Sequence, residues 1–176
     1  MKTTGDLGNN SGQSSSRVVW TLAIVGLSLL SAAADVYAQA AASGPYSFFP
    51  LTPCRVVDTR NANGPSGGPA LAANTARSFP IINVNSCGVP STAKAAVVNV
   101  TAVAPGDNGN FIIYPAGTAR PNTSVVNWSV ADFATGNGAF LPLANQGGVD
   151  ITVYPNMPPG TAGTVHLVID VTGYFQ

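Results

Sequence analysis

The chain has 176 residues, 8% of them charged, and seven basic and seven acidic side chains leave a formal net charge of +0. A typical soluble protein carries about 25% charged residues. Nucleic acid therefore finds no electrostatic footprint here, and the region after the leader has no polybasic segment for an anionic membrane.

The leader comes first. Lys2 and Arg17 lie in a polar stretch, followed by the apolar run Val18 to Ala34 and by "ADVYAQA". That last piece offers small-x-small cleavage at Ala38-Gln39-Ala40 or Val36-Tyr37-Ala38. Charge, apolar run and cleavage site in this order describe a secretory signal. The alternative is an uncleaved anchor, because an apolar stretch near ~18 residues is borderline for spanning, and membrane attachment would then run through that segment alone. The expectation is a signal peptide over 1–40 and a single β-sandwich domain over 41–176, long enough to bury a real core, located outside the cell or on its surface.

After residue 41, short runs of Val, Ile, Thr, Phe and Tyr alternate with Gly, Pro and Asn clusters, and no run has capped helical periodicity. In chain order the runs predict strands over 54–59, 76–83, 94–104, 110–114, 123–130, 138–144, 149–154 and 163–174. In the first, strict alternation sets Val56, Asp58 and Arg60 on one face and Arg55, Val57 and Thr59 on the other. In the third, Ala96, Val98, Val100 and Ala102 oppose Val97, Asn99, Thr101 and Val103. "PGDNGN", Pro105 to Asn110, holds an Asn-Gly pair and predicts a hairpin, and "ANQGGVD" plays the same part before 149–154. In the last strand Val165, Leu167, Ile169 and Val171 share a face opposite His166, Val168, Asp170 and Thr172.

About eight short strands at this spacing predict an all-β, two-sheet β-sandwich, Ig-like or jelly-roll-like, with a β-barrel as the alternative. A weak internal echo, "FIIYP" against "ITVYP", sets Tyr114-Pro115 and Tyr154-Pro155 at matching strand ends and suggests the two halves of a double-sheet fold.

Cys54 and Cys87 are the only cysteines. In an exported chain an even count is most simply one disulfide, worth roughly 3.8 kcal/mol for a loop of this length in the chain-entropy account. A metal centre needs more ligands than two cysteines and one distant histidine, and a redox pair is usually closer in sequence.

"PLTPCRVVDTR", "GPSGGPALAANTARSFPI", "CGVPSTAKAAVVNVTAV", "YPAGTARPNTSVVNW" and "HLVIDVTGYF" resemble, in order, a domain that recurs in secreted and cell-surface bacterial proteins, where it is often appended to hydrolases. The resemblance covers nearly all of residues 47–175 and implies an extracellular β-sandwich accessory domain without enzymatic activity of its own.

The charged residues of the opening strand read as a fastening. Buried charges persist only when paired and hydrogen-bonded, so Arg55, Asp58, Arg60 and Asp170 are candidates for a structural ion-pair network. The alternative is a site. Catalysis has little to work with: His166 and Asp170 lie about 13 Å apart along a strand, and no G-x-S-x-G elbow occurs. Asp107, Asn108 and Asn110 supply too few oxygens for calcium and suit a turn instead. The expectation is thus no enzyme, no metal and no cofactor.

Two functions remain. The first is a non-catalytic structural or adhesion module, with other extracellular proteins or its own copies as candidate partners. The charge-poor surface is compatible with association, because it lacks the self-repulsion that keeps proteins apart. The second is a carbohydrate-binding module recognising cell-wall or environmental glycans through Trp128, Tyr114, Tyr154 and Asn127, because aromatic faces pack on apolar sugar faces beside amide donors. Trp128 has an alternative as a core plug between sheets.

Overall fold

The structure is a computed structural model describing residues 44–145 and 148–176; the leader over 1–40 lies outside the described residues. Among the described residues there is no helix. Nine strands form in chain order: β1 (Phe48–Asp58), β2 (Leu71–Ala72), β3 (Arg77–Phe79), β4 (Ala95–Val103), β5 (Gly109–Pro115), β6 (Val126–Trp128), β7 (Ala134–Pro142), β8 (Ile151–Asn156) and β9 (Thr164–Phe175). They make two antiparallel sheets, a β-sandwich. The larger runs β1-β9-β4-β7 with β2 also on β9; the smaller runs β3-β8-β5-β6.

The core follows from alternation on the central strands. Val165, Leu167, Ile169 and Val171 of β9 are all at 0% exposure, as are Ala96, Val100 and Ala102 of β4. From the smaller sheet, Phe79, Phe111, Ile151 and Val153 are also fully buried and join the same cluster. Each such Val, Leu, Ile or Phe contributes about 1.5–3 kcal/mol relative to exposure.

The strands differ from expectation at the prolines and glycines. β1 begins six residues before Cys54, through Pro50 and Pro53, because it is an edge strand and its register jumps between Pro50 and Cys54. An edge or a bulge is where a strand tolerates a residue with no N–H. β7 begins at Ala134 rather than 138, and its Gly136 and Gly138 pair with Thr101 and Asn99 instead of turning the chain. β2, unanticipated, is a two-residue contact of Leu71 with Val165 that continues the edge beyond the end of β1.

The largest correction concerns connections. "PGDNGN" is not a hairpin: β4 lies in the larger sheet and β5 in the smaller, so the turn is an arch between sheets. Asn-Gly specifies a tight reversal, but the bonds that decide its destination are distant. Gly106 N–H donates to Thr164 O at 2.8 Å, and Trp128 Nε1 donates to Asp107 O at 2.8 Å. β7 and β8 likewise belong to different sheets. The echoed strands are not two halves either. β5 and β8 are neighbours in one sheet, with Ile112 opposite Tyr154 and Tyr114 opposite Thr152.

Candidate functional site

Two places concentrate polar chemistry: the charged end of β1, and a groove on the outer face of the smaller sheet.

At β1, a one-residue bulge between Arg55 and Val57 breaks the expected alternation. Val56 and Val57 are both buried, at 0% and 1%. Arg55, opposite Asp170, and Asp58, opposite Val168, therefore emerge on the same side of the sheet. A bulge does this by inserting one residue that has no partner and flipping everything beyond it.

The result is a chain of four charges. Arg55 Nε and Nη2 donate to Asp170 at 2.8 and 3.0 Å, and its Nη1 donates to Asp58 at 3.2 Å. Arg60 reaches the same Asp58 through Nε at 2.8 Å and Nη2 at 2.6 Å, and its backbone N–H donates at 3.1 Å. Asp58 is the buried member, its side chain 7% exposed against 47% and 44% for the arginines. Hydrogen bonds from Arg60, outweighing burial, hold its carboxyl below the usual range at about 2. The Arg55 guanidinium is correspondingly raised, first by its hydrogen bonds to Asp170.

The rest of the motif closes the strand. Thr59, 2% exposed, accepts from Leu167 N–H at 2.8 Å through its hydroxyl, which also pairs with His166 Nδ1 at 3.2 Å. Cys54 is bridged to Cys87, with Cα atoms 5.5 Å apart. The following "NANGPSGGP", for all its Gly, Pro and Asn, is tightly bonded. Ser66 O accepts from Asp58 N–H, and Arg77 donates to the carbonyls of Gly64, Gly67, Gly68 and Pro69 between 2.7 and 3.1 Å. A cavity of about 420 Å³ lies between this loop and β1, but the charged groups on its wall, Arg55 and Asp58, are already paired.

The second place is built by register. Asn127 of β6, Asn110 of β5 and Asn156 of β8 lie in one cross-strand row. Phe111 points into the core, so the asparagines beside it point out. Tyr154 and Tyr114 follow on the same face, on the rows opposite Ile112 and Thr152. An open groove of about 590 Å³ runs along it, walled by Asn74, Asn108, Asn110, Tyr154, Asn156 and Pro158.

Each wall is locally explained. Asn74 adopts a left-handed backbone, φ 56°, and its Oδ1 accepts from Met157 N–H at 3.1 Å and from the Tyr154 hydroxyl at 3.4 Å. Asn108 Oδ1 accepts from Val130 N–H at 2.8 Å. Gly109 must be glycine: a Cβ there would sit 2.6 Å from Asn156 O and 2.8 Å from the Trp128 ring. Asn110 Oδ1 is buried without a hydrogen-bond partner among the described residues.

Trp128 is the core plug and not the platform. It is 6% exposed, packs on Phe111 with ring centroids 4.6 Å apart, and lies beneath Gly109 as support for the groove floor. Tyr154 has one ring face covered by the Arg120 guanidinium at 3.9 Å. Tyr114, Tyr154 and Asn127 share the outer face, but Tyr114 and Asn127 are not part of the groove wall. Asn74 and Asn156 have no signal in the sequence that marks them as ligand groups, and Asn108 and Asn110 read there as turn residues with too few oxygens for calcium. The alternation Asn110-Phe111-Ile112-Ile113-Tyr114, in the strand expected over 110–114, places Asn110 on an outer face. Asp150, 3% exposed, accepts through its carboxylate from Ile81 and Ile82 N–H at 2.7 and 2.8 Å and anchors the chain leaving β3.

No protein-family model matches the chain, and no curated protein matches it significantly.

Proposed function

We propose that the chain is a non-catalytic structural or adhesion module of the bacterial exterior, exported through its leader. The observation that carries this reading is the employment of its most reactive residues as fastenings. Asp58 is held by two arginines, Thr59 completes the β1–β9 ladder, and Cys54 is bridged. A disulfide is at home in an oxidising compartment, and the motifs resemble those of secreted accessory domains.

The contact surface is an aromatic cluster at one end of the larger sheet. Phe48 and Phe140, 50% and 69% exposed, both pack against Phe175, while Phe49 stacks on Tyr174 with centroids 5.2 Å apart. Exposed apolar patches of this kind mark association sites. The partner is a second copy, because a chain of net charge +0 has no long-range self-repulsion.

Sedimentation of the exported protein over a concentration series tests this. The expected result is a rise in mass with concentration that Phe140→Ser suppresses. A monomer at every concentration overturns self-association. N-terminal sequencing of the same material is expected to begin near Gln39 or Ala41, and an intact Met1 on a membrane-embedded product overturns export with cleavage.

A further inference from the structure

We propose that the asparagine-lined groove on the smaller sheet binds a neutral saccharide, with Asn110 and Asn156 as the principal hydrogen-bonding groups.

The ligand class follows from the wall chemistry. The groove of about 590 Å³ has no charged side chain among its lining residues. The nearest cation, the Arg120 guanidinium, is stacked on the Tyr154 ring and is not part of the lining, so the wall itself suits a neutral ligand rich in hydroxyl or amide groups. Each carboxamide presents a donor and an acceptor side by side, the complement of neighbouring sugar hydroxyls, each of which both donates and accepts. Asn110 and Asn156 are cross-strand partners, so their carboxamides project from backbones about 5 Å apart and can engage adjacent hydroxyls of one ring. Pro158 and Pro159 give the apolar wall that a sugar's C–H face requires.

A second, independent observation points the same way. Asn110 Oδ1 is buried and unpaired among the described residues, although its residue lines the groove. An unmet acceptor of this kind is costly to leave so. The terminal torsion of asparagine is broad and roughly two-fold, so the carboxamide can turn its oxygen toward the groove when a hydroxyl is there to donate. Asn108 and Asn156 also have amide nitrogens free of protein acceptors among the described residues, on the same wall.

A peptide strand fits less well. Main-chain recognition of an extended peptide needs an open sheet edge, yet at Asn110 the β5 backbone is flanked by β6 on one side and β8 on the other.

The proposal is independent of self-association, which occurs on the other sheet and is read by mass. Its test is titration of the isotopically labelled exported protein with N-acetylglucosamine tetramer and, separately, with maltotetraose. These arms separate an amide-bearing, wall-type glycan from a plain glucan. The expected result is saturable amide shifts confined to residues 108–110, 154, 156 and 157 with at least one of the two. Asn110→Ala and Asn156→Ala are each expected to weaken binding at least tenfold, and Asn99→Ala on the other sheet to leave it unchanged. Asn110→Ala is further expected to keep or raise the melting temperature, since it removes an unmet acceptor; a clear loss would mark Asn110 as structural and overturn its role. Asn156 is exposed, so Asn156→Ala remains folded and decides the matter alone if the first variant does not. Failure of both saccharides to saturate in the millimolar range, or binding indifferent to both variants, overturns the proposal.

Discussion

Asp58 accepts three hydrogen bonds from Arg60, two from the guanidinium and one from the backbone N–H, although the two residues are only two positions apart. The strand ends at Asp58, and the chain turns there so that the arginine folds back over the carboxylate. Arg55 reaches the same carboxylate from the other side of the bulge, and Asp170 of β9 closes the network. The outcome is a staple across β1 and β9, made where the ladder is irregular.

Asp58→Asn is expected to destabilise the domain by about 1–3 kcal/mol. The buried carboxylate loses charge-assisted bonds, while solvent around the half-exposed arginines moderates the loss. Asp107→Asn is expected to change stability by less than about 0.5 kcal/mol, because its carboxylate receives only the neighbouring Asn108 N–H. Melting temperatures of the two variants measure the contrast. Equal melting temperatures would remove the structural role assigned to Asp58.

The same carboxylate makes stability pH-dependent. Its folded-state pKa, about 2, lies below the ordinary value of 3.8. A depressed carboxyl contributes stability that is full above the unfolded pKa and is lost as pH falls toward the folded one, about 2 kcal/mol in all. Thermal unfolding between pH 5 and pH 2 should therefore show a decline steepest below about pH 4. In Asp58→Asn the decline should be shallower, and an identical profile would contradict the assignment.

Cys54 and Cys87 tie the middle of β1 to the segment before β4. The native protein is expected to resist alkylation and to run two hydrogens lighter than its reduced form by mass spectrometry. Reduction is expected to cost about 2–4 kcal/mol, and two freely alkylated thiols would exclude the bridge.

Arg77 holds the loop after β1 from the other sheet, its guanidinium facing four carbonyls and lying over the Phe79 ring at 4.6 Å. Burial lowers its pKa from the ordinary arginine value. Arg77→Ala is expected to accelerate amide exchange across residues 61–68. Arg77→Lys should restore it only in part, since an ammonium cannot span carbonyls that a planar fork reaches together. Unchanged exchange in Arg77→Ala would show that the loop holds itself.

The all-β character, the two faces of β4 and β9, and the cysteine pair were all legible in the residues. Alternation and turn chemistry act over a few neighbours and need no partner to be read. The residues of the ion network were legible too, because so sparse a set of charges leaves few ways to bury one. Their geometry was not, since a single inserted residue at Val56 reverses the faces and leaves no local mark. The sheet to which each strand belongs was equally hidden. The Asn-Gly at residues 108–109 dictates a reversal, but whether it closes a hairpin or an arch depends on bonds to Thr164 and Trp128, far along the chain. That nonlocal choice also assembled the groove. Asn74, Asn110 and Asn156 are separated in sequence by turns and strands, and only the pairing of β5 with β8 sets Asn110 beside Asn156, while Asn74 joins them through its bonds to Tyr154 and Met157.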